Sequence, residues 1–138
     1  MRRTISRYQA GFSLIELLVV LVILGLLAGL VVPNIMGKTE GAKVSTAKAA
    51  VNQIAMNIDN YYLDNGRAPD SLRDLVTAPG DAERWNGPYI KESLLKDPWG
   101  REYAYRFPGE HGDYDVLSYG ADGTAGGEGN NADIGNWQ

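Results

Sequence analysis

The chain of 138 residues contains no cysteine and a single histidine, His111. The first absence excludes disulfide staples and thiol chemistry, without naming a compartment. The second leaves a Ser/His nucleophile or a histidine-rich metal site with almost nothing to draw on. Basic charge is also scarce: 13 Lys and Arg face 17 Asp and Glu, for a net charge of −4. Arg2, Arg3 and Arg7 all fall in the first eleven residues, which hold no acid, so the rest of the chain is more acidic still. An acidic body argues against nucleic acid as a partner. No paired base and nucleophile stands out, so an enzyme is the weakest of the function classes. Long apolar runs are lacking too, with one exception.

That exception is Gly11 to Pro33, GFSLIELLVVLVILGLLAGLVVP, which carries one charge, Glu16, between Phe12 and Val32. At about 1.5 Å per helical residue it spans roughly 30 Å, the thickness of a bilayer's hydrocarbon core. Mean hydropathy over the chain is −0.25, so the polar remainder could hardly enclose a buried helix of this length. The run is too long for a secretory signal peptide. It reads as a single-pass anchor, with basic residues 1–10 in the cytoplasm and the polar body across the membrane. A carboxylate in such a segment costs roughly 2.5 kcal/mol or more, so Glu16 needs a reason to be there. Gly25-x-x-x-Gly29 is a weak packing signal, and Pro33 removes a backbone donor. Together they predict a helix softened between Gly25 and Pro33.

The helical pattern continues beyond Pro33. Val44, Ala47, Val51, Ile54, Ile58 and Tyr61 recur at spacings of three and four, with Lys43, Ser45, Lys48, Asn52 and Asp59 opposite. Asn65-Gly66 is the stop signal. The expectation is one long helix, apolar all round in its first half and amphipathic in its second. A short helix at about Ser71–Val76 follows, then turns at Trp85–Tyr89 and Asp97–Gly100. Residues 102–107 alternate, with Tyr103, Tyr105 and Phe107 on one face; with residues 114–118 they predict a hairpin whose aromatic face covers the amphipathic helix. His111 falls in the intervening turn and reads as solvated.

The glycine-rich, acidic tail would ordinarily be disordered. Ile134 and Trp137 oppose that, because apolar residues at the far end can dock back and close a loop. Such a loop would gather Asp122, Glu128, Asn130 and Asp133 with free carbonyls, a hard-oxygen set suited to Ca²⁺, although the spacing is not that of an EF-hand.

Gly11-Phe12-Ser13-Leu14-Ile15-Glu16, after a basic leader and before an apolar helix, resembles the type IV pilin-like signal. The resemblance implies cleavage by a prepilin peptidase between Gly11 and Phe12, N-methylation of Phe12, and Glu16 as the fifth mature residue. Trp85–Ile90 (WNGPYI), Asp97–Tyr105 (DPWGREYAY) and Ser118–Trp137 resemble the major, G-type pseudopilins of type II secretion systems. The likeness covers essentially the whole chain, whereas type IV pilins commonly close their C-terminal loop with two cysteines. It implies an α+β, type IV pilin-like fold: a long N-terminal helix on a small antiparallel sheet with a C-terminal Ca²⁺ loop. The implied segments are a leader (1–11), a transmembrane and filament-core helix (12–35) and a periplasmic domain (36–138).

The implied structural Ca²⁺ matches Asp122 best, with main-chain oxygens of Tyr119 and Thr124 as partners. Asn130, Glu128 and Asp133 compete for the second half, with a cap on the turn that follows it as the alternative role of Asp133. The implied function is that of a non-enzymatic pseudopilus subunit, which polymerises from the Gram-negative inner membrane and drives export through the outer-membrane secretin. The implied partners are other copies of itself, the peptidase, minor pseudopilins, and an assembly platform with its ATPase. Glu16 would then pair with the Phe12 amine of a neighbouring subunit. The alternatives are a cysteine-free type IV pilus subunit and a monomeric anchored Ca²⁺-binding domain.

Overall fold

The structure is a computed structural model that describes residues 10–138, with the backbone alone for residues 30–37. The elements are a helix α1 (Leu14–Asn65), strands β1 (Ala104–Arg106), β2 (Asp115–Ser118) and β3 (Ile134–Gly135), and 3₁₀ turns at Leu72–Leu75, Glu92–Leu95 and Gly129–Asn131. The chain divides into two compact units, Met1–Gly37 and Lys38–Gln138. The helix is unbroken through Gly25 and Pro33.

In the first unit Ser13 starts α1. Its hydroxyl accepts from Glu16 N at 3.3 Å and its carbonyl from Leu17 N at 3.2 Å. Ser-x-x-Glu is the spacing of a capping box, and the Glu16 carboxylate in the first turn opposes the positive end of the helix dipole. Beyond this cap the large apolar side chains from Phe12 to Leu27 are all exposed, from 47% at Val20 to 89% at Phe12. Among the described residues no helix is long and apolar enough to cross a membrane. The apolar run continues through Leu30–Pro33, whose side chains lie outside the described residues, as do the leader residues 1–9.

The second unit is built on the amphipathic half of α1. Ala47, Val51, Ile54, Ile58 and Tyr61 are at most 1% exposed, and Val44 packs against the same cluster. They meet Leu75, Ile90, Leu95, Tyr103, Val116 and Ile134. Each fully buried large aliphatic contributes on the order of 2 kcal/mol of transfer free energy, so this face rather than helix propensity holds the helix in place. The helix ends at Asn65, and Gly66 (φ +73°) turns the chain through a left-handed conformation, its N–H closing on Tyr62 O at 2.8 Å.

The sheet is antiparallel in the order β1-β2-β3, with Tyr105 opposite Val116 and Ser118 opposite Ile134. The aromatic face is shorter than the alternation predicts. Tyr103 is buried and Tyr105 donates its hydroxyl to Pro69 O at 2.8 Å, but Phe107 is 58% exposed. The strand stops at Arg106 because Pro108, with no N–H for a ladder bond, turns the chain away. All four residues of β2 are buried, as befits the central strand.

Candidate functional site: assembly segment and cation loop

The N-terminal features lie together around the start of α1. Gly11 and Phe12 precede the helix and are exposed, and Glu16 is exposed in its first turn. Ser13 is missing from the residues singled out by sequence, although the Ser-x-x-Glu spacing is a recognised start signal.

The loop from Tyr119 to Asp133 is closed at both ends. Ala121 N donates to Asn130 O at 2.9 Å, which joins the Asp122 segment to Asn130. Gly126 N donates to Asp133 Oδ2 at 3.0 Å, and Asp122 Oδ1 accepts from Thr124 N at 3.1 Å. Asp122, Thr124, Glu128 and Asn130 are exposed, while Tyr119 and Asp133 are half-buried. Glu128 stands at the start of the Gly129–Asn131 turn, and its main-chain oxygen accepts from Asn131 N at 3.1 Å. Among the described residues no three His, Asp or Glu side chains form a metal cluster. An ion here therefore needs main-chain oxygens as well as carboxylates. The donor set fits Ca²⁺ in one specific respect: Asp133 Oδ1 is buried without a hydrogen-bond partner. An orphaned carboxylate oxygen is costly, and a hard cation satisfies it.

The loop rests on a buried carboxylate that the sequence reading left out. Asp97, 6% exposed, accepts from Trp99 N (3.0 Å) and Arg101 N (2.9 Å) through Oδ1, and from the buried Ser118 hydroxyl (2.8 Å) through Oδ2. The Asp-Pro-Trp-Gly turn is the available signal, since aspartate at the first position of a turn accepts from the amides that follow.

The C-terminal end docks as expected, but His111 is not simply solvated. Its ring stacks on Trp137 at 3.8 Å with an interplanar angle of 6°, and Nδ1 lies 3.0 Å from Asp115 Oδ2. Trp137 in turn covers Gly135 so closely that a Cβ there would lie 2.3 Å from its ring, which would have to move aside. Asn136 Oδ1 accepts from Val116 N at 2.9 Å, and its amide donates to Tyr114 O at 3.2 Å. Burial pushes the Asp115 carboxyl up, but the His111 ring and the amides of Glu110 and His111 outweigh it and hold the carboxyl below its ordinary value.

Comparison with known proteins identifies the family. The family described as "Type II secretion system (T2SS), protein G" matches residues 34–137, and the "Prokaryotic N-terminal methylation motif" matches residues 6–32. The chain belongs to the type II secretion protein G family. The "Type II secretion system core protein G" of Pseudomonas aeruginosa is 47% identical over 95% of this chain and 96% of its own length. That of Vibrio cholerae is 48% identical over 95% and 93%. The major pseudopilin from the type 2 secretion system of enterohaemorrhagic Escherichia coli is similar in structure, with a TM-score of 0.61 and 35% identity over 76% of this chain and 95% of that one. The protein G match contains the whole C-terminal loop, and the methylation match contains Gly11, Phe12 and Glu16. The family is one of structural secretion-system pseudopilins, and the α+β architecture with a three-stranded antiparallel sheet agrees with it.

Proposed function

We propose that this chain is the major subunit of a type II secretion pseudopilus and that it acts by polymerising, not by catalysis. The observation that carries this reading is the exposed apolar surface of Phe12 and of α1 from Leu14 to Leu27. An apolar patch of this size does not persist in water, so it is covered by lipid or by other helices. In the inner membrane the covering is lipid, with the basic leader in the cytoplasm and residues 36–138 in the periplasm. In the filament the covering is the same segment of neighbouring copies. The prepilin peptidase cuts between Gly11 and Phe12 and methylates the new amine. Minor pseudopilins, the assembly platform with its ATPase, and the outer-membrane secretin are the partners this role requires.

Cleavage leaves a cationic amine at Phe12, four residues before Glu16. Two unlike charges attract strongly in a low-dielectric filament core, and a subunit out of register leaves one of them buried and unpaired. Glu16 is therefore a register device whose partner is the amine of the next copy. The glycines and Pro33 weaken the helix locally, which eases its exchange of lipid for helices. Ca²⁺ in the 119–133 loop would be held by Asp122, Asp133 and main-chain oxygens, with those of Tyr119 and Thr124 the best matches and Asn130 and Glu128 competing. Its contribution is structural, adding charge that neutralises the carboxylates.

Mass spectrometry of the mature N-terminus tests the reading. We expect a chain that begins with N-methyl-Phe12 when it is made with its secretion apparatus. An intact Met1 would point to a plain anchor.

A further inference from the structure

Two cations reach the C-terminal loop: Arg106 touches only the Tyr119 hydroxyl, at 3.5 Å, while Arg101 engages its main chain. Its guanidinium donates to Gly120 O at 3.0 Å through one terminal nitrogen and to Ala121 O at 3.3 Å through the other. The two carbonyls are adjacent in the chain, and a planar fork fits such a pair where a single ammonium does not. The backbone beneath this side chain is fixed. Arg101 N donates to Asp97 Oδ1 at 2.9 Å, and Arg101 O accepts from Asp97 N at 2.7 Å. Asp97 Oδ2 holds the Ser118 hydroxyl, which accepts from Gly120 N at 3.3 Å. A hydrogen-bonded ring thus runs from Asp97 through Ser118 and Gly120 to Arg101 and back. Gly123 completes the fit: its φ is +67°, and a Cβ there would lie 2.5 Å from Arg101 Nε.

We infer that Arg101 is a positioning residue for cation binding by this loop. Its guanidinium uses one lone pair on each of the Gly120 and Ala121 carbonyls, which makes those two oxygens poorer donors to a bound Ca²⁺ than unpaired main-chain oxygens of the loop. By pinning the turn before the metal arrives, Arg101 reduces the ordering that binding must impose. This rests on the proposed reading of the loop as a Ca²⁺ site. Two opposite effects compete. A fixed positive charge repels a cation, while a pre-ordered loop favours it. Arg101 is exposed, so water and salt screen the repulsion. Ordering is expected to win.

The test uses the full chain in detergent, as wild type, Arg101→Gln and Arg101→Lys. Calcium binding is read by calorimetry, and amide exchange at Ala121 and Thr124 is read in EDTA. The expected result is that Arg101→Gln binds Ca²⁺ about tenfold more weakly and exchanges both amides several-fold faster without metal, because two charge-assisted hydrogen bonds are lost. Arg101→Lys should resemble Gln more than wild type, since it keeps the charge and loses the fork. Exchange at Val51 and Ile54 should stay unchanged, which shows that the core is intact. Tighter Ca²⁺ binding by Arg101→Gln would mean that repulsion dominates and would overturn the inference. Unchanged exchange or unchanged affinity would do so too. Failure of the wild type to bind Ca²⁺ would instead remove the metal site itself, and that titration comes first.

Discussion

Replacing Asp97 by alanine should be among the most damaging single changes in the second unit. The carboxylate accepts three hydrogen bonds at 2.8–3.0 Å while only 6% exposed. Hydrogen bonds to a charged group contribute about 1.5–3 kcal/mol each, but they are not additive when they share an acceptor. Truncation also strands the Ser118 hydroxyl, which is 1% exposed. A net loss of about 3–5 kcal/mol follows. In a unit of this size, 1 kcal/mol moves the melting temperature by roughly 4–8 °C, so the midpoint should fall by at least about 12 °C. Asp97→Asn keeps an acceptor for the two amides and should lose about 1–2 kcal/mol. Melting followed by near-ultraviolet circular dichroism reads both, with the exposed Glu83→Ala as control. A loss under about 1 kcal/mol for Asp97→Ala would refute the idea that this carboxylate ties the turn to the loop.

Two further outcomes are expected. At a Ca²⁺ concentration 100 times its dissociation constant the folded state gains about 2.7 kcal/mol. EDTA should therefore lower the melting temperature by more than about 10 °C, and Asp122→Ala or Asp133→Ala should abolish the response; superimposable curves with and without EDTA would remove the metal. Asp115, whose carboxyl is held low in the fold, contributes stability that is complete above the unfolded value near pH 4 and is lost as pH falls through the folded value. Asp115→Asn should accordingly flatten the acid limb of melting temperature against pH, and an unaltered limb would contradict the assignment.

Local periodicity foretold more of this molecule than long-range partnership did. The stripe from Val44 to Tyr61 lies within one helix, so its spacing alone located the core, and Gly66 ended the helix where a left-handed residue was needed. Phe107 departs from the alternation because the neighbouring Pro108 ends the strand, an effect that a period-two pattern ignores. His111 could not be placed from its own surroundings, since Trp137 reaches it only after β3 has paired with β2. The same holds for Asp97 and Ser118, which lie 21 residues apart. Asp133 and Asp122 were readable as carboxylates in a glycine-rich loop, but the orphaned Asp133 oxygen is a property of the packing.

The central claim is that the exposed apolar helix is covered by copies of itself, with Glu16 setting the register. It is tested most directly by electron microscopy of sheared filaments from cells that make the chain with its assembly apparatus. Wild type should give filaments, and Glu16→Ala should reach the inner membrane in normal amount and give none. Filaments of normal length and number from Glu16→Ala would contradict the account.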